Sequence, residues 1–514
     1  MSRQSTGTSY KRPAGAWGIL LALLLNLPAL AIEPGQSSPN MAATYEARQH
    51  LRSAVELFDR KDTAGAQSQV LAAIDSPVFA SLSSADQHAA WALAATLAMQ
   101  KQDFTHARQF AARATQMQEQ TVEDWRTRLE ASSKIPDPKD EAECLTAIAR
   151  QWGRDKELLP DVLVRRVMRE TDKPEAAEPR LELLEALFEL RWRPADGGNF
   201  SGRWRELSRL LLERNRQDDA VQVAALVDDP FDIIAFRADL RLRPLLKSDK
   251  VRSNARRAAE DQIQALRDVV RQQPRSLNAL HRLMLALLRV RKDAEVLDLA
   301  AEAERRVGAV GAGVAPYDDM GRYGFILEER SRALWHLGRF DEAVAQLRRA
   351  LELPNKTDEV SQPIDYALLL CELDRPDEAL AVLPDEGKIS GYGRMLSALV
   401  RLSAAVERNS PEDLGHALTY LREHREDSAT LLQVGLLRAG LLDEAEQVLL
   451  WRLNDPQLRT LALLEVQKYF EPKRPPRARE WHERDLAVEN RPAVHAAILQ
   501  IGEIDSYTWT YGLD

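Results

Sequence analysis

The chain has little of what most enzyme classes are built from. Cysteine occurs twice in 514 residues, as Cys144 and Cys371. So sparse a supply excludes a disulfide framework. No histidine–cysteine cluster has zinc spacing either. Each cysteine sits in an apolar helical stretch, LTAIA after Cys144 and YALLL before Cys371. Each therefore reads as a small buried residue. The nine histidines are scattered, none within HExxH, and there is no GxSxG elbow. The glycines of Gly308–Gly313 follow no β-run, lack GxGxxG spacing and have no lysine placed for a phosphate loop. Asp218-Asp219, Asp228-Asp229 and Asp318-Asp319 are adjacent pairs. Neighbours on a helix point different ways, so these suit caps and turns better than an acid/base dyad. No cofactor, metal or catalytic set is expected.

Positive charge is also short. There are 70 basic residues against 79 acidic. Nucleic-acid affinity rests on phosphate neutralisation by Lys and Arg, so no nucleic-acid partner is expected. Arg252–Arg257 and Lys473–Arg479 read as solvated helix faces. Long apolar runs are missing beyond the N-terminus, so no transmembrane span is expected.

The N-terminus does carry a pattern. Arg3, Lys11 and Arg12 precede the apolar run Trp17–Leu27 and the small-x-small end Ala29-Leu30-Ala31. That order marks a secretory signal peptide over 1–31, cleaved after Ala31. The run falls short of the about 20 residues a spanning helix needs. Without the leader's three basic residues, 67 basic remain against 79 acidic, a net charge of −12. The expected product is exported and soluble, in a bacterial periplasm, with a disordered mature start over 32–40.

Four tracts repeat one pattern of helix, tight turn and helix. Around the turn they read QKQDFTHA at Gln100–Ala107, HLGRFDEA at His336–Ala343, ELDRPDEA at Glu372–Ala379 and RAGLLDEA at Arg438–Ala445. Repetition at about 34–40 residues is the mark of a helical solenoid. In Gly324–Pro354, Leu327, Leu334, Phe340, Ala343, Leu347, Ala350 and Leu353 keep helical spacing across a turn at Gly338. Gly338 suits a left-handed helix end, and Asp341 and Glu342 suit the next helix's N-terminus. Trp91–Met117 repeats the pattern with Trp91, Ala95, Phe104, Ala107 and Ala114. Weaker copies lie near Ala66, near Ala220, at Ala279–Ala303 and at Met395–Arg425.

With Gly338, Phe340, Ala343, Ala350 and Pro354 at or within one place of its signature, the chain resembles the tetratricopeptide-repeat (TPR) family. It departs at Arg330 and Ser331, where that signature has leucine and glycine. The resemblance implies an all-α, right-handed superhelical solenoid of antiparallel hairpins. Divergent hairpins are expected over 41–307, a boundary loop over 308–323, clearer repeats over 324–490, and a terminal helix with an extended aromatic tail over 491–514. That tail reads DSYTWTYGL from Asp505, a period-two strand signal. It is expected to cap the last hairpins.

The resemblance also implies that Phe325, Glu328, Glu329, Arg332, Trp335 and His336 line the concave face. Arg332, Trp335 and His336 form the candidate partner-binding set, since Trp and Arg dominate hot spots; packing of Trp335 against the next repeat is the alternative. The function expected is a scaffold for a protein or peptide partner, with possible envelope association. A structural element of an envelope assembly is one alternative. An enzyme on an all-α superhelix, acting on peptidoglycan, is the other, with no room here for an appended catalytic domain.

Overall fold

The computed structural model describes residues 39–194, 199–246, 254–309, 315–353, 361–389 and 391–511. The leader, most of the expected disordered start and residues 310–314 of the expected boundary loop lie outside them. Among the described residues 25 α-helices occur, with isolated β-bridges and no strand. The chain is a TPR-like solenoid of antiparallel helical hairpins.

One turn geometry explains the repetition. Lys61, Gln102, Arg191, Asn215, Arg291, Gly338, Asp374, Asn409 and Gly440 all adopt positive φ, from 50° to 78°. After each, the next backbone N–H reaches back five residues to a helix carbonyl at 2.9–3.0 Å. This is the Schellman end, which satisfies carbonyls the helix leaves orphaned. Five residues beyond the turn stands the alanine of the repeat. Ala66, Ala107, Ala220, Ala343, Ala379 and Ala445 are all fully buried, so the paired helices approach closely there. Ser331, where glycine was expected, donates its hydroxyl to Ala343 O at 2.7 Å.

The chain divides into two compact units between Arg203 and Trp204. In the first, hairpins follow one another from Pro39–Asp59 onward, and packing runs between helices one or two apart in sequence. Trp91 stacks on Phe110 at 5.9 Å and meets Phe79 edge-on at 5.3 Å. Successive hairpins are also tied by polar pairs, such as His88 Nε2 to Asp124 at 2.7 Å. Cys144, in this unit, and Cys371, in the second, are both buried free thiols. Burial pushes the Cys371 thiol up to about 12.

The second unit closes on itself. Helix Pro230–Ala238, near its start, packs against helix Arg459–Glu465, near its end. Leu240 N donates to Ile501 O, and Glu503 N to Ala238 O, both at 3.0 Å. The approach is tight: a Cβ on Gly502 would lie 2.6 Å from the Ala238 carbonyl. Stacking of sequence neighbours alone therefore does not describe this unit.

The aromatic tail docks in cis, but elsewhere than expected. Tyr507 N donates to Lys468 O at 2.7 Å and Phe470 N to Trp509 O at 2.8 Å. Tyr507 and Tyr511 stack on Tyr469, while buried Trp509 meets Phe231. Thr510 reaches Arg289 O and Leu288 O. The tail thus seals the early hairpins of this unit to its end, instead of covering only the last hairpins. Trp509 and Tyr511 both lie on Phe231, but the segment forms only an isolated bridge, Lys468 to Ser506, and not the expected strand.

Candidate functional site

Three successive first helices, Leu277–Arg289, Tyr323–His336 and Ser361–Glu372, bring a polar cluster together. Arg332 is at its centre. Its guanidinium lies 2.7 Å from Glu328, 2.8 Å from Glu329 and 3.8 Å from Asp365. His281 Nε2 stands 3.0 Å from Glu329 Oε1, and its ring stacks on Phe325 at 5.1 Å. Gln362 donates to Glu328 Oε2 at 3.3 Å. It comes this close because residue 324 is glycine; a Cβ there would meet the Gln362 amide at 3.0 Å.

Three carboxylates face one guanidinium, whose own ionised form they favour against burial. Burial first, then Glu329 and Asp365, push the Glu328 carboxyl up to about 7, with Arg332 opposing. Glu329 is fully buried, and its Oε2 has no hydrogen-bond partner among the described residues. A buried carboxylate oxygen left unpaired costs about 1–3 kcal/mol or more.

Of the expected trio, Arg332 alone keeps part of its side chain open. Trp335 is 2% exposed, in one apolar cluster with Leu334, Ala343, Leu370 and Trp481, and edge-on to Phe340 at 4.8 Å. His336 is buried behind it, with Nδ1 2.7 Å from Asp293. Burial alone would raise the Asp293 carboxyl, but His336 and Arg291 outweigh it and hold it low. Phe325, Glu328 and Glu329 do line the cluster with Arg332. His281, Gln362 and Asp365 come from neighbouring hairpins. Asp365 is the counterpart of Glu329 one repeat on, 36 residues later like Asp374 after Gly338, and the repeat register alone would have found it.

A second feature bears on this face. The segment from Lys468 to Arg491 crosses the turn edge of five hairpins in order. Phe470 lies under the Arg291 guanidinium at 4.0 Å. Lys473 packs over Gly338, its Cδ 2.8 Å from where a Cβ would be. Arg477 pairs with Asp374 at 3.0 Å and also with Glu407. Arg484 donates to the carbonyls of Leu437 and Arg438 at 3.1 and 2.7 Å. A cation at that helix end satisfies orphan acceptors and complements the dipole. Helix Pro476–Glu489 then lays Trp481 under the Arg438 guanidinium, 4.1 Å away.

No family model and no curated protein matches the chain. Among solved structures it is similar to the APC/C hetero-tetramer Cut9–Hcn1, at 12% identity over 90% of both chains, with a TM-score of 0.28. It is also similar to yeast Tom70, at 12% identity over 88% of this chain and 99% of that one, with a TM-score of 0.23. Naa15/Naa10 bound to HypK-THB follows at 11% identity, over 89% and 94%, with a TM-score of 0.23. These likenesses are weak, and the fold rests on the turn geometry above.

Proposed function

We propose that the chain is a scaffold that binds a protein or peptide partner on the first-helix face around Arg332. The partner supplies a Lys or Arg side chain to the carboxylates of Glu328, Glu329 and Asp365. The observation that carries this is the buried, unpartnered Glu329 Oε2 beside the Glu328 carboxyl. A cation docking there would gain charge-assisted hydrogen bonds and relieve a buried deficit. Arg332 orients the carboxylates. Trp335 and His336 act from behind, fixing the helix that carries them.

The leader pattern supports export to the periplasm, with the mature chain starting at Ile32. No helix among the described residues is long and apolar enough to cross a membrane. N-terminal sequencing of the secreted fraction should read from Ile32; an intact leader in the cytoplasm would contradict export. For the site, a photo-crosslinking residue at exposed Tyr392 should capture a partner through a Lys- or Arg-bearing segment. Asp365→Lys should abolish that capture with the melting curve unchanged. Capture indifferent to Asp365→Lys would overturn the assignment.

A further inference from the structure

Elsewhere in the same unit lies a trough lined by arginines. Helix Gly391–Glu407 sends Ser403 and Glu407 toward Arg438 and Arg477. Half a turn away it carries Arg394 and Arg401, with Arg408 just past its end. These three arginines line a cavity of about 480 Å³ together with His416 and Tyr420 of helix Pro411–Glu423. The lining between them is small, with Ala398, Ala405 and Ala417. A backbone could therefore approach the helix closely.

None of the three arginines is firmly committed. Arg401 pairs with Glu386 at 2.5 Å, but both side chains are well exposed, at 40% and 58%. Such pairs are worth little and exchange readily. Arg408 lies 3.7 Å from Asp377, beyond a hydrogen bond. Arg394 is exposed and has no ion pair among the described residues. In a chain of net charge −9, three guanidinium groups against two carboxylates, Glu386 and Asp413, give the trough a small positive excess.

Their spacing selects a ligand. Seven residues of helix rise about 10.5 Å, so the outer two arginines stand about 21 Å apart. In a β-strand, residues three apart point to opposite faces. In a polyproline II segment they share a face, about 9.3 Å apart, a gap that arginine side chains easily span. A polyphosphate would press continuous charge against Glu386 and Asp413, which also line the cavity. A peptide with one acid every third residue brings less charge to them, and one of its acids would take the place of Glu386 on Arg401.

We propose that this trough binds an acidic, polyproline-II-forming peptide segment bearing Asp or Glu at every third position. It is a second site, independent of the Arg332 face. The test uses the full-length chain and fluorescein-labelled peptides followed by anisotropy. A peptide of three Glu-Pro-Pro units should bind, about tenfold more weakly for each of Arg394→Ala, Arg401→Ala and Arg408→Ala. Its affinity should fall with added salt. An isomeric peptide with its glutamates at every second position should bind at least tenfold more weakly, and this arm needs no variant to fold. Equal binding of the two isomers, of a Lys-Pro-Pro peptide, or of a single-stranded oligonucleotide would overturn the proposal. So would unchanged affinity in the triple arginine variant with its helical circular dichroism intact.

Discussion

The two units are built from the same hairpin and end differently. In the first, the turns at Lys61 and Gln102 are exposed and packing runs between helices one or two apart in sequence. In the second, the turns at Arg291, Gly338, Asp374 and Gly440 are crossed by the unit's own segment Lys468–Arg491. A repeat array gains stability from nearest-neighbour interfaces. The second unit adds contacts between residues more than a hundred positions apart, which neighbour-only stacking cannot supply. Its cooperativity should differ accordingly, and the predictions probe that difference.

The largest effect should come from Trp481→Ala. Trp481 is 7% exposed and shares an apolar cluster with Trp335, Leu370 and Val400. Its loss should cost about 3–5 kcal/mol, lowering the second unit's melting transition and leaving the first unit's in place. Calorimetry on the full chain reads both. A single transition shifted as a whole would mean the two units do not melt separately.

Truncation after Ile504 comes next. It removes Trp509 and its edge-on contact with Phe231, a buried aromatic worth about 1.5–3 kcal/mol. The second unit should melt earlier; unchanged stability would mean the tail is not docked.

Overpacking should be more even-handed. Ala107→Trp and Ala343→Trp insert bulk at equivalent, fully buried positions, each at a cost of about 1–3 kcal/mol or more. Similar losses would confirm one repeat register in both units. A silent Ala343→Trp would say that the register is wrong.

The second unit alone should show a marked pH slope. Burial first, then Asp485 and Glu465, push the Glu489 carboxyl up to about 8. Asp485 rises to about 6, mainly by burial, against the pull of His482. Raised folded values mean the native state holds protons that the unfolded chain releases near pH 4. Stability is then complete below about pH 4 for these groups and is lost as pH rises through 6 to 8. The second unit's melting temperature should fall between pH 5.5 and 8.5, and Glu489→Gln should flatten the slope.

The smallest effect is a gain. Lys61 is exposed with φ of 63°, a conformation that costs a side chain about 1–2 kcal/mol. Lys61→Gly should therefore raise the first unit's stability by up to about 1 kcal/mol, read by denaturant titration.

These turns also show what could be read from sequence. Gly338 and Gly440 announce their turns, because glycine is the residue left-handed backbone favours. Lys61, Asn215, Arg291 and Asn409 make the same turn behind polar side chains, so the weaker copies carried helix periodicity and no visible stop. The aligned alanines were legible, since a close approach of helices leaves few choices. Trp335 was not. A first helix flanked on three sides buries nearly its whole girth, and periodicity cannot tell an inner groove from a covered one. The crossing segment left no local trace, because Lys473, Arg477 and Arg484 look like any solvated face until the turns they meet are known.

The central claim is that Lys468–Arg491 clasps the turn edge of the second unit. Amide hydrogen exchange of the intact chain at neutral pH tests it most directly. A lone 14-residue helix is marginal in water, so lasting protection of Pro476–Glu489 requires docking. The account predicts that these amides exchange as slowly as those of Tyr323–His336, and far more slowly than the amides around Lys61 and Gln102. Exchange of Pro476–Glu489 within seconds, with Tyr323–His336 still protected, would contradict it.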